Sequence, residues 1–504
     1  PMQTHDGKYT IVFNGEIYNF QSLREILEEM GHVFSTKSDT EVLLNSYAEW
    51  GVEMLERING QFSFAIWDSE QSRIVLARDH FGLKPLYFQR VGRGMVFASE
   101  VKAILGMPGS DDVVLDENEI PNYLQHRFVP NPKTFFSGIY KLRPGNYAIW
   151  SLEDGLNEVE FFRPFELRKE PVKIKSNDEI VKKFSEHLER SVRIRMVSDV
   201  PYGAFLSGGI DSASIVAIMS KISQYPIKTF SVGFEVSENS ELEFARIVAE
   251  EFQCDHHELI VKPEDLPSHL EELIRLRDAP VAEPSDIPIF LLSKFASKEV
   301  KMVLTGEGSD EILGGYEKYF LEIYGLKYRS WIPKLLRETL VSGSINLLPR
   351  KFWRWKKAIN TLNITDNEDR MAAWFGGMRP SEIDDFLIND WAVTTPYKWS
   401  EDHSVIRNLM DFDQRFWLPD NLLERGDRMT MAASIEARMP FMDIELAEFV
   451  SSLPDNMRVR SMTTKQILRE AMSDKLPKKI LKRPKVGFRV PVMEWFRDEL
   501  ADWL

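Results

Sequence analysis

The chain has 504 residues, of which 43% are hydrophobic and 28% charged, a composition typical of a globular protein with about two or three domains. Its formal net charge of −15 argues against a nucleic-acid partner, because binding to a phosphate backbone normally needs a basic surface. No apolar run approaches the roughly 20 residues of a membrane helix and no signal peptide is visible, so we expect no membrane partner. The single cysteine, Cys254, excludes an internal disulfide and fits a cytoplasmic protein.

In the first part of the chain, short strand-like runs alternate with turns, which indicates a β-rich domain with few helices. The runs are Tyr9–Phe13, Phe62–Trp67, Ile74–Ala77, Leu86–Phe88, Met95–Ala98 and Asn146–Trp150. One amphipathic pattern, Phe20–Met30, predicts a helix between the first two of them. We expect this domain to span residues 1–150.

Residues 151–176 are polar and mixed in charge, and we interpret them as a connection between domains. From Asn177 onward helical patterns dominate, and apolar residues from Ile180 to Val192 mark one helix face. Strand candidates follow at Tyr202–Leu206, Lys228–Phe234, His257–Val261 and Lys301–Leu304. Strands that alternate with helices predict a parallel, doubly wound sheet, in which ligands bind at the carboxyl ends of the strands.

The segment Leu206-Ser207-Gly208-Gly209-Ile210-Asp211-Ser212 joins the first of these strands to an apolar helical pattern. Glycines let backbone N–H groups approach an anion, and the helix N-terminus adds partial positive charge, so the turn suits a phosphate group. The sequence has no G-x-x-x-x-G-K-[ST] loop, which excludes a P-loop site. Ser-Gly-Gly-Ile-Asp-Ser instead resembles the pyrophosphate-binding loop of the N-type ATP pyrophosphatases. A helix-capping turn without a ligand is the alternative interpretation.

The strand candidate Lys301–Leu304 runs into an acidic, glycine-rich turn that contains Glu307, Asp310 and Glu311. Three carboxylates held this close are costly without a cation or a substrate, although an acidic solvated loop is the alternative. With Asp211 on a neighbouring strand end, Mg2+ bound to a leaving pyrophosphate is the better explanation, since Mg2+ favours carboxylates and phosphate oxygens. Taken alone, a lysine such as Lys465 at the start of a helical stretch is usually a surface residue.

The order and spacing of several motifs resemble the synthetase domain of the glutamine-dependent asparagine synthetase family. The matching segments are Ser207–Ser212, Phe230–Phe234, Gly306–Tyr316, Asp427–Met431, Ser434–Asp443, Lys465–Arg469 and Arg483–Phe488. The first domain resembles the companion N-terminal-nucleophile (Ntn) glutaminase domain through Phe13–Asn19, Ser38–Glu41 and Ala77–Tyr87. The resemblance implies an incomplete α+β domain of the Ntn-hydrolase-type β-sandwich at 1–150. It also implies an α/β domain with a doubly wound parallel sheet and many helices at 177–504.

In the first domain the resemblance assigns four residues to glutamine. Asn14 and Gly15 match the oxyanion hole, which takes part in catalysis by stabilising the tetrahedral intermediate of glutamine hydrolysis. Glu16 and Asp39 match the residues that hold the α-amino group of glutamine.

In the second domain the resemblance implies an ATP site with Mg2+. The residues that match nucleotide contacts or the pyrophosphate loop are Leu206, Ser207, Gly208, Gly209, Asp211, Ser212, Val232, Thr305 and Gly306. Asp211 and Asp310 match the metal ligands. Glu307 matches a catalytic residue needed to form or use an acyl-adenylate, and Lys465 matches one that stabilises developing phosphate charge.

The implied enzyme is an ATP-dependent carbon–nitrogen ligase. Glutamine would be hydrolysed in the first domain, ammonia would pass internally, and ATP would activate a carboxylate as an acyl-adenylate that ammonia attacks. We favour asparagine formation from aspartate. The alternatives are another acceptor, such as a sugar acid of a surface polysaccharide or a natural-product intermediate, and a non-catalytic relative. β-Lactam-forming relatives carry a tyrosine at the position of Glu307, which argues for ammonia as the nucleophile here. We expect small-molecule partners only, with a homodimer left open.

The first domain departs from the family in one respect. The family's glutaminase uses an N-terminal cysteine whose free amine is the general base, and the only cysteine here is Cys254 in the second domain. The chain starts at Pro1 in strand-like sequence and stops at Leu504 within an amphipathic pattern. We therefore expect a fragment of a longer protein, with the nucleophile upstream, and no glutamine hydrolysis by the chain as given. Cys254 is expected to be an ordinary partly buried residue, and the adjacent His256 and His257 to be structural.

Overall fold

The structure, a computed structural model, describes residues 1–110, 112–163, 176–235, 241–341, 343, 345, 349, 352–387, 397–485, 487 and 490–503. The strands are β1 Met2–Gln3, β2 Tyr9–Ile17, β3 Gly60–Asp68, β4 Arg73–Arg78, β5 Tyr87–Val91, β6 Gly94–Ala98, β7 Ile139–Lys141, β8 Asn146–Ser151, β9 Gly155–Glu160, β10 Tyr202–Phe205, β11 Lys228–Phe234, β12 Asp255–Val261, β13 Met302–Leu304 and β14 Glu436–Arg438.

The α-helices of these residues are Phe20–Glu29, Asp39–Trp50, Val101–Leu105, Ile120–His126, Asn177–Arg195, Ile210–Ile222, Glu241–Glu251, Asp265–Arg277, Asp286–Ala296, Ser309–Leu313, Glu317–Trp331, Lys334–Leu336, Trp353–Asn363, Asn367–Phe375, Pro380–Phe386, Val405–Phe412, Glu424–Ala432, Ile444–Ser451, Gln466–Ala471, Lys478–Lys482 and Val492–Arg497. Wider, π-type turns occupy Arg337–Val341 and Asp413–Leu423. Within the described part of the chain, none of the helices is long and apolar enough to cross a membrane.

The first half is a sandwich of two antiparallel sheets. The larger sheet has the order β1-β2-β3-β4-β8-β9, and the smaller one has the order β6-β5-β7. Because successive side chains of a strand point to opposite faces, β3 sends Phe64 and Ile66 to one side and Ala65 to the other. Phe64 and Ile66 pack against the helices Phe20–Glu29 and Asp39–Trp50, whereas Ala65 belongs to the core between the two sheets. The predicted α+β β-sandwich is thereby confirmed.

The predicted strands of this half are present with small shifts at their ends, and the predicted helix Phe20–Met30 ends at Glu29. Several elements were not predicted, including β1, β7, β9 and the helices Asp39–Trp50, Val101–Leu105 and Ile120–His126. The helix Asp39–Trp50 begins after Ser38, whose side chain accepts a hydrogen bond from the backbone N–H of Thr40. The predicted connection 151–176 begins with β9, which pairs with β8 and completes the larger sheet. Residues 164–175 of that connection lie outside the described residues.

The second half contains a five-stranded parallel sheet with the order β12-β11-β10-β13-β14. The chain passes outward from β10 to β12 on one side and returns to β13 and β14 on the other, which is the predicted doubly wound topology. Met302, Val303 and Leu304 of β13 are fully buried, which explains their continuous apolar sequence. Such a sheet has its ligand crevice where the order reverses, here between β10 and β13.

The edge strand β14 was not predicted. It pairs in parallel with β13, with Met302 opposite Glu436 and Leu304 opposite Arg438. A three-residue strand is too short to display a period of two, so its sequence gives no strand signal.

Candidate active site

A cavity of about 310 Å³ opens at the carboxyl ends of β10, β11 and β13, within the size range of small-molecule pockets. One wall is apolar and includes Leu206, Val232 and Leu292. The opposite edge is formed by polar residues of the strand-end turns, namely Ser207, Asp211, Ser212, Thr305, Gly306, Glu307 and Asp310. An apolar wall facing a polar edge suits a nucleotide, whose base and phosphates have these two characters.

The turn after β10 has a shape that requires glycine. Gly208 has φ +67°, and a Cβ atom there would lie 2.5 Å from the Cβ of Phe244. The Oγ atoms of Ser207 and Ser212 lie 3.1 Å apart, and the Ser207 N–H donates to the Ser212 Oγ at 3.2 Å. These bonds fold the turn over the start of the helix Ile210–Ile222, as a phosphate-binding turn needs.

The turn after β13 lies directly against the turn after β10. A Cβ atom on Gly306 would be 3.0 Å from both the Asp211 Cβ and the Ser212 backbone N, so a side chain here would push the two turns apart by a few tenths of an ångström. The buried hydroxyl of Thr305 has no hydrogen-bond partner within the described residues. An unpaired hydroxyl on the cavity wall is available to a ligand.

Lys465 joins the two aspartates that were predicted to bind the metal. Its Nζ lies 2.6 Å from Asp211 Oδ1 and 2.6 Å from Asp310 Oδ1, although 254 residues separate Lys465 from Asp211. Lys485 contacts the other oxygen of Asp310 at 2.6 Å. Burial alone would raise the pKa of Asp310, but the two ammonium groups hold it well below its ordinary value.

The backbone of Lys465 is itself strained. Its φ of 54° and ψ of 42° lie in the left-handed region, which disfavours a residue with a side chain by about 1–2 kcal/mol. Only 2% of Lys465 is exposed, so this is a buried site residue rather than the surface lysine that its sequence context alone favours. Strain retained at a buried charged residue marks a position where function outweighs local stability.

Glu307 faces the cavity without a partner. The described residues provide no hydrogen bond or ion pair to its carboxylate, and its Oε2 would lie 2.7 Å from a Cβ atom placed on Gly426. Burial raises the pKa of the Glu307 carboxyl, and the Arg425 guanidinium on the same cavity wall opposes that rise. A partly buried, unpaired carboxylate in a ligand cavity is suited to contact a reacting group.

Several basic residues of the site had no predicted role. Arg469, Arg483 and Lys485 line a small cavity of about 50 Å³ that adjoins the phosphate turn. Arg483 donates to the Ser207 carbonyl oxygen at 3.2 Å. The matched segments Lys465–Arg469 and Arg483–Phe488 contain these residues but gave them no role, and Val486 and Phe488 lie outside the described residues.

The donor set fits Mg2+ only together with a ligand. The carboxylates of Asp211 and Asp310 lie close together, because Lys465 Nζ is 2.6 Å from an oxygen of each. No group of three or more His, Cys, Asp or Glu side chains in the described part of the chain could hold a metal alone. Mg2+ commonly takes one or two carboxylates and completes its shell with phosphate oxygens and water, which these two aspartates permit.

The predicted glutamine residues lie together on the first half. Asn14, Gly15 and Glu16 are consecutive in β2, and Asp39 accepts the Ile17 N–H at 3.0 Å. Glu16 forms an ion pair with Arg438 of β14 at 3.1 Å, so a side chain of the second half reaches this group. Burial raises the pKa of Glu16 to about 7, and Arg438 opposes the rise. The structure therefore places the four residues as neighbours.

Cys254 is partly buried and packs against the core of the second half. Burial raises the pKa of its thiol, which disfavours the thiolate. His256 Nδ1 lies 2.8 Å from the Thr229 hydroxyl, and the His257 ring stacks on Phe230 with centroids 5.3 Å apart. These contacts agree with the expected structural roles of all three residues.

Comparison with known proteins identifies both halves. The asparagine synthase family matches residues 183–504, and the glutamine amidotransferase domain family matches residues 1–162. Asparagine synthetase [glutamine-hydrolyzing] 1 of Bacillus subtilis is 34% identical, over 100% of this chain and 79% of its own length. A putative asparagine synthetase [glutamine-hydrolyzing] of Mycobacterium bovis is also 34% identical, over 98% of this chain and 77% of its own length.

A relative with another name shows the same overall match. A protein of Gibberella zeae named amidase chry2 is 27% identical, over 98% of this chain and 79% of its own length. Relatives with two different names therefore match the chain along nearly its whole length. The chain belongs to the asparagine synthetase family of ATP-dependent, glutamine-hydrolysing ligases.

Proposed function

We propose that the chain converts aspartate, ATP and ammonia into asparagine, AMP and pyrophosphate, with glutamine as the source of the ammonia in the family's complete reaction. A carboxylate oxygen of aspartate attacks the α-phosphorus of ATP, and the bond to pyrophosphate breaks. Ammonia then attacks the acyl carbon, the bond to AMP breaks, and the nitrogen loses a proton. The observation that carries this proposal is the unpaired Glu307 carboxylate in one cavity with Asp211 and Asp310, the two aspartates that Lys465 joins.

ATP would bind with its base against the apolar wall of Leu206 and Val232 and its phosphates toward the turn at Ser207. The exposed N–H groups of a glycine-containing turn and the helix behind it favour a polyphosphate. Arg483 and Lys485 beside that turn would add positive charge where the β and γ phosphates leave.

Asp211 and Asp310 would hold Mg2+, which when bound supplies positive charge to the phosphate oxygens. Lys465 would act as a compact point charge on the phosphate oxygen that gains charge during adenylation. Its burial and its two aspartate partners keep the ammonium in one place before ATP arrives.

Glu307 would act after the adenylate has formed. A carboxylate that burial makes more basic can accept the proton that the attacking ammonia must lose. In the first half, Asn14 and Gly15 would form the oxyanion hole, while Glu16 and Asp39 would hold the glutamine α-amino group.

A second acceptor class remains a candidate. The Gibberella zeae relative is named an amidase rather than an asparagine synthetase, yet it matches along 98% of this chain. Arg425 and Lys485 are cationic residues on the cavity wall, and either could pair with a second anionic group of an acceptor. That requirement is met by aspartate and also by other dicarboxylates and by sugar acids.

The test is a screen of acceptors with ATP, Mg2+ and ammonium, in which pyrophosphate release and amide formation are both measured. We expect aspartate to support both, with asparagine as the product. The Lys465→Ala variant serves as the blank, because contaminating ATP hydrolysis would persist in it. If a sugar acid or another carboxylate supports amide formation and aspartate does not, the aspartate assignment is wrong. If no carboxylate supports pyrophosphate release, the ligase proposal itself fails.

A further inference from the structure

Two motifs without an assigned role contact each other across the two halves. Lys84, in the segment Ala77–Tyr87, places its Nζ 2.6 Å from Asp427 Oδ1, across 343 residues of sequence. Tyr87, in the same segment, donates its hydroxyl to Glu424 Oε1 at 2.9 Å and accepts from Arg428 Nη2 at 3.0 Å. All three partners belong to the helix Glu424–Ala432 of the second half.

These contacts are shielded from solvent. Only 3% of the Lys84 side chain and 12% of the Asp427 side chain are exposed. Lys141, also from the first half, reaches Glu424 at 3.3 Å and Asp420 at 3.2 Å. Removing one partner of such a buried pair leaves an uncompensated charge, so the helix cannot shift without a large cost.

The opposite side of the same helical stretch forms part of the candidate active site. Leu422, Arg425, Gly426 and Thr430 line the cavity. Residues three and four apart share a face of a helix, which separates this set from Glu424, Asp427 and Arg428. One helix therefore contacts the first half on one side and the proposed ATP and acceptor site on the other.

The helix also packs directly against the carboxylate of Glu307. The space beside Gly426 is so narrow that a Cβ atom there would lie 2.7 Å from Glu307 Oε2. A displacement of the helix Glu424–Ala432 would therefore change the packing against the Glu307 carboxylate.

We propose that Lys84 and Tyr87 of the amidotransferase half are positioning residues of the synthetase reaction, because they hold the helix Glu424–Ala432 where it backs Glu307. This inference rests on the proposed function, in which Glu307 serves the amide-forming step. It makes the first half a working part of the synthetase site even when ammonium replaces glutamine.

The first experiment uses the full chain with ammonium as the nitrogen source. Lys84→Met removes the charge and keeps much of the volume, and we expect kcat for amide formation to fall by about tenfold or more. KM for ATP should change by less than about threefold, because the nucleotide contacts come from the ends of β10, β11 and β13. Lys84→Arg should recover part of the loss, and the exchanged pair Lys84→Asp with Asp427→Lys should recover more activity than either single variant.

The matched control is Arg73→Met. Arg73 pairs with Asp68 at 3.2 Å inside the first half, and neither residue contacts the helix Glu424–Ala432. This variant should keep the wild-type kcat even if it lowers the melting temperature. Equal losses of kcat in Lys84→Met and Arg73→Met would show a general stability effect and overturn the proposal.

Hydrogen–deuterium exchange provides a measurement that does not depend on turnover. Lys84→Met should speed exchange both in residues 424–432 and in residues 305–311, whereas faster exchange in the helix alone would contradict the link to Glu307. If Lys84→Met does not fold, Tyr87→Phe replaces it, since it removes only one hydroxyl and both of its bonds. A wild-type chain inactive with every acceptor would overturn the proposed function, and the exchange result would still decide whether the helix and Glu307 move together.

Discussion

At the scale of single residues, Asp211 combines three contacts that belong to different parts of the chain. Its Oδ1 accepts from the Ser309 hydroxyl at 2.7 Å and from Lys465 Nζ at 2.6 Å, while its Cβ faces Gly306. The Asp211→Asn variant keeps this shape and removes the charge. We expect acyl-adenylate formation to fall by more than about a hundredfold, or roughly 2.7 kcal/mol in the transition state.

The measurement is pyrophosphate release at increasing Mg2+, together with the affinity for an adenosine ligand. Adenosine binding should survive in Asp211→Asn, because the apolar wall of the cavity is unchanged. Near-normal pyrophosphate release at saturating Mg2+ would show that Asp211 has no metal role.

Lys465 and Glu307 can be separated by the step that each affects. Lys465→Ala should abolish pyrophosphate release with every acceptor and leave the affinity for ATP within a few-fold, because its charge matters most when a phosphate oxygen gains charge. Glu307→Gln should instead impair amide formation to a degree that depends on the acceptor. Isotope exchange of pyrophosphate into ATP, which reports only the adenylation step, distinguishes the two variants. An equal loss of ATP binding in both would mean that the two residues only hold the site together.

At the scale of elements, the turn after β10 allows a comparison of two adjacent glycines. Gly208 has φ +67° and no room for a Cβ atom, whereas Gly209 has φ −77° and its nearest neighbour is the Ser207 Oγ at 3.3 Å. Gly208→Ala should therefore lower the free energy of unfolding by about 1–3 kcal/mol, and Gly209→Ala by much less. Urea unfolding of the two variants tests this difference, and equal effects would show that the turn relaxes easily.

The elements that could be predicted from sequence are those with a long enough pattern. The strand Lys228–Phe234 was predicted with its observed bounds because its seven residues are enough to show a period of two, with Phe230, Val232 and Phe234 at alternate positions. The helix Asp39–Trp50 was missed although Ser38 and Glu41 have the spacing of a helix start. This Ser-x-x-Glu spacing is that of a capping box, in which Glu41 would bond the backbone N–H of Ser38. In the structure the Glu41 carboxylate instead accepts hydrogen bonds from the N–H groups of Ser35 and Thr36.

The residues of the candidate active site could also be predicted from sequence only where the pattern is local. The glycine-rich turn around Ser207 and the acidic turn around Glu307 could be recognised locally, because each follows a strand. Lys465, Lys485 and Arg425 reach these turns only through the fold, and a single sequence contains no spacing that relates residues so far apart. The role of Lys465 was predicted only from the resemblance to a family. The roles of Lys84 and Arg438 follow only from the structure, in which each forms an ion pair between the two halves.

At the scale of the whole molecule, the shifted pKa values of several carboxyl groups predict how stability depends on pH. Burial raises the pKa of Glu16 and of Glu241 to about 7, above the ordinary value of 4.5. Each group therefore favours the folded state at low pH and loses that contribution as the pH rises through 7. The contribution of Glu424 to stability depends on pH in the opposite direction. The charges of Lys141 and Arg428 outweigh the effect of burial and lower the pKa of Glu424 to about 2. Its contribution is present above 4.5 and is lost as the pH falls toward 2.

For these three groups together, the melting temperature should therefore pass through a maximum near pH 4.5, the ordinary pKa of the carboxyl group in the unfolded chain. Thermal unfolding from pH 3 to 8.5 at constant ionic strength measures the profile. Glu16→Gln and Glu241→Gln remove the ionisable groups and should each flatten the decline between pH 4.5 and 7, whereas Glu56→Gln, at an exposed position, should keep the wild-type profile. In a Lys141→Met variant, the decrease in melting temperature below pH 4.5 should be smaller, because Glu424 would have lost its main cationic partner. A wild-type melting temperature that stays constant from pH 5 to 8 would show that the buried carboxyl groups titrate alike in the folded and unfolded chains.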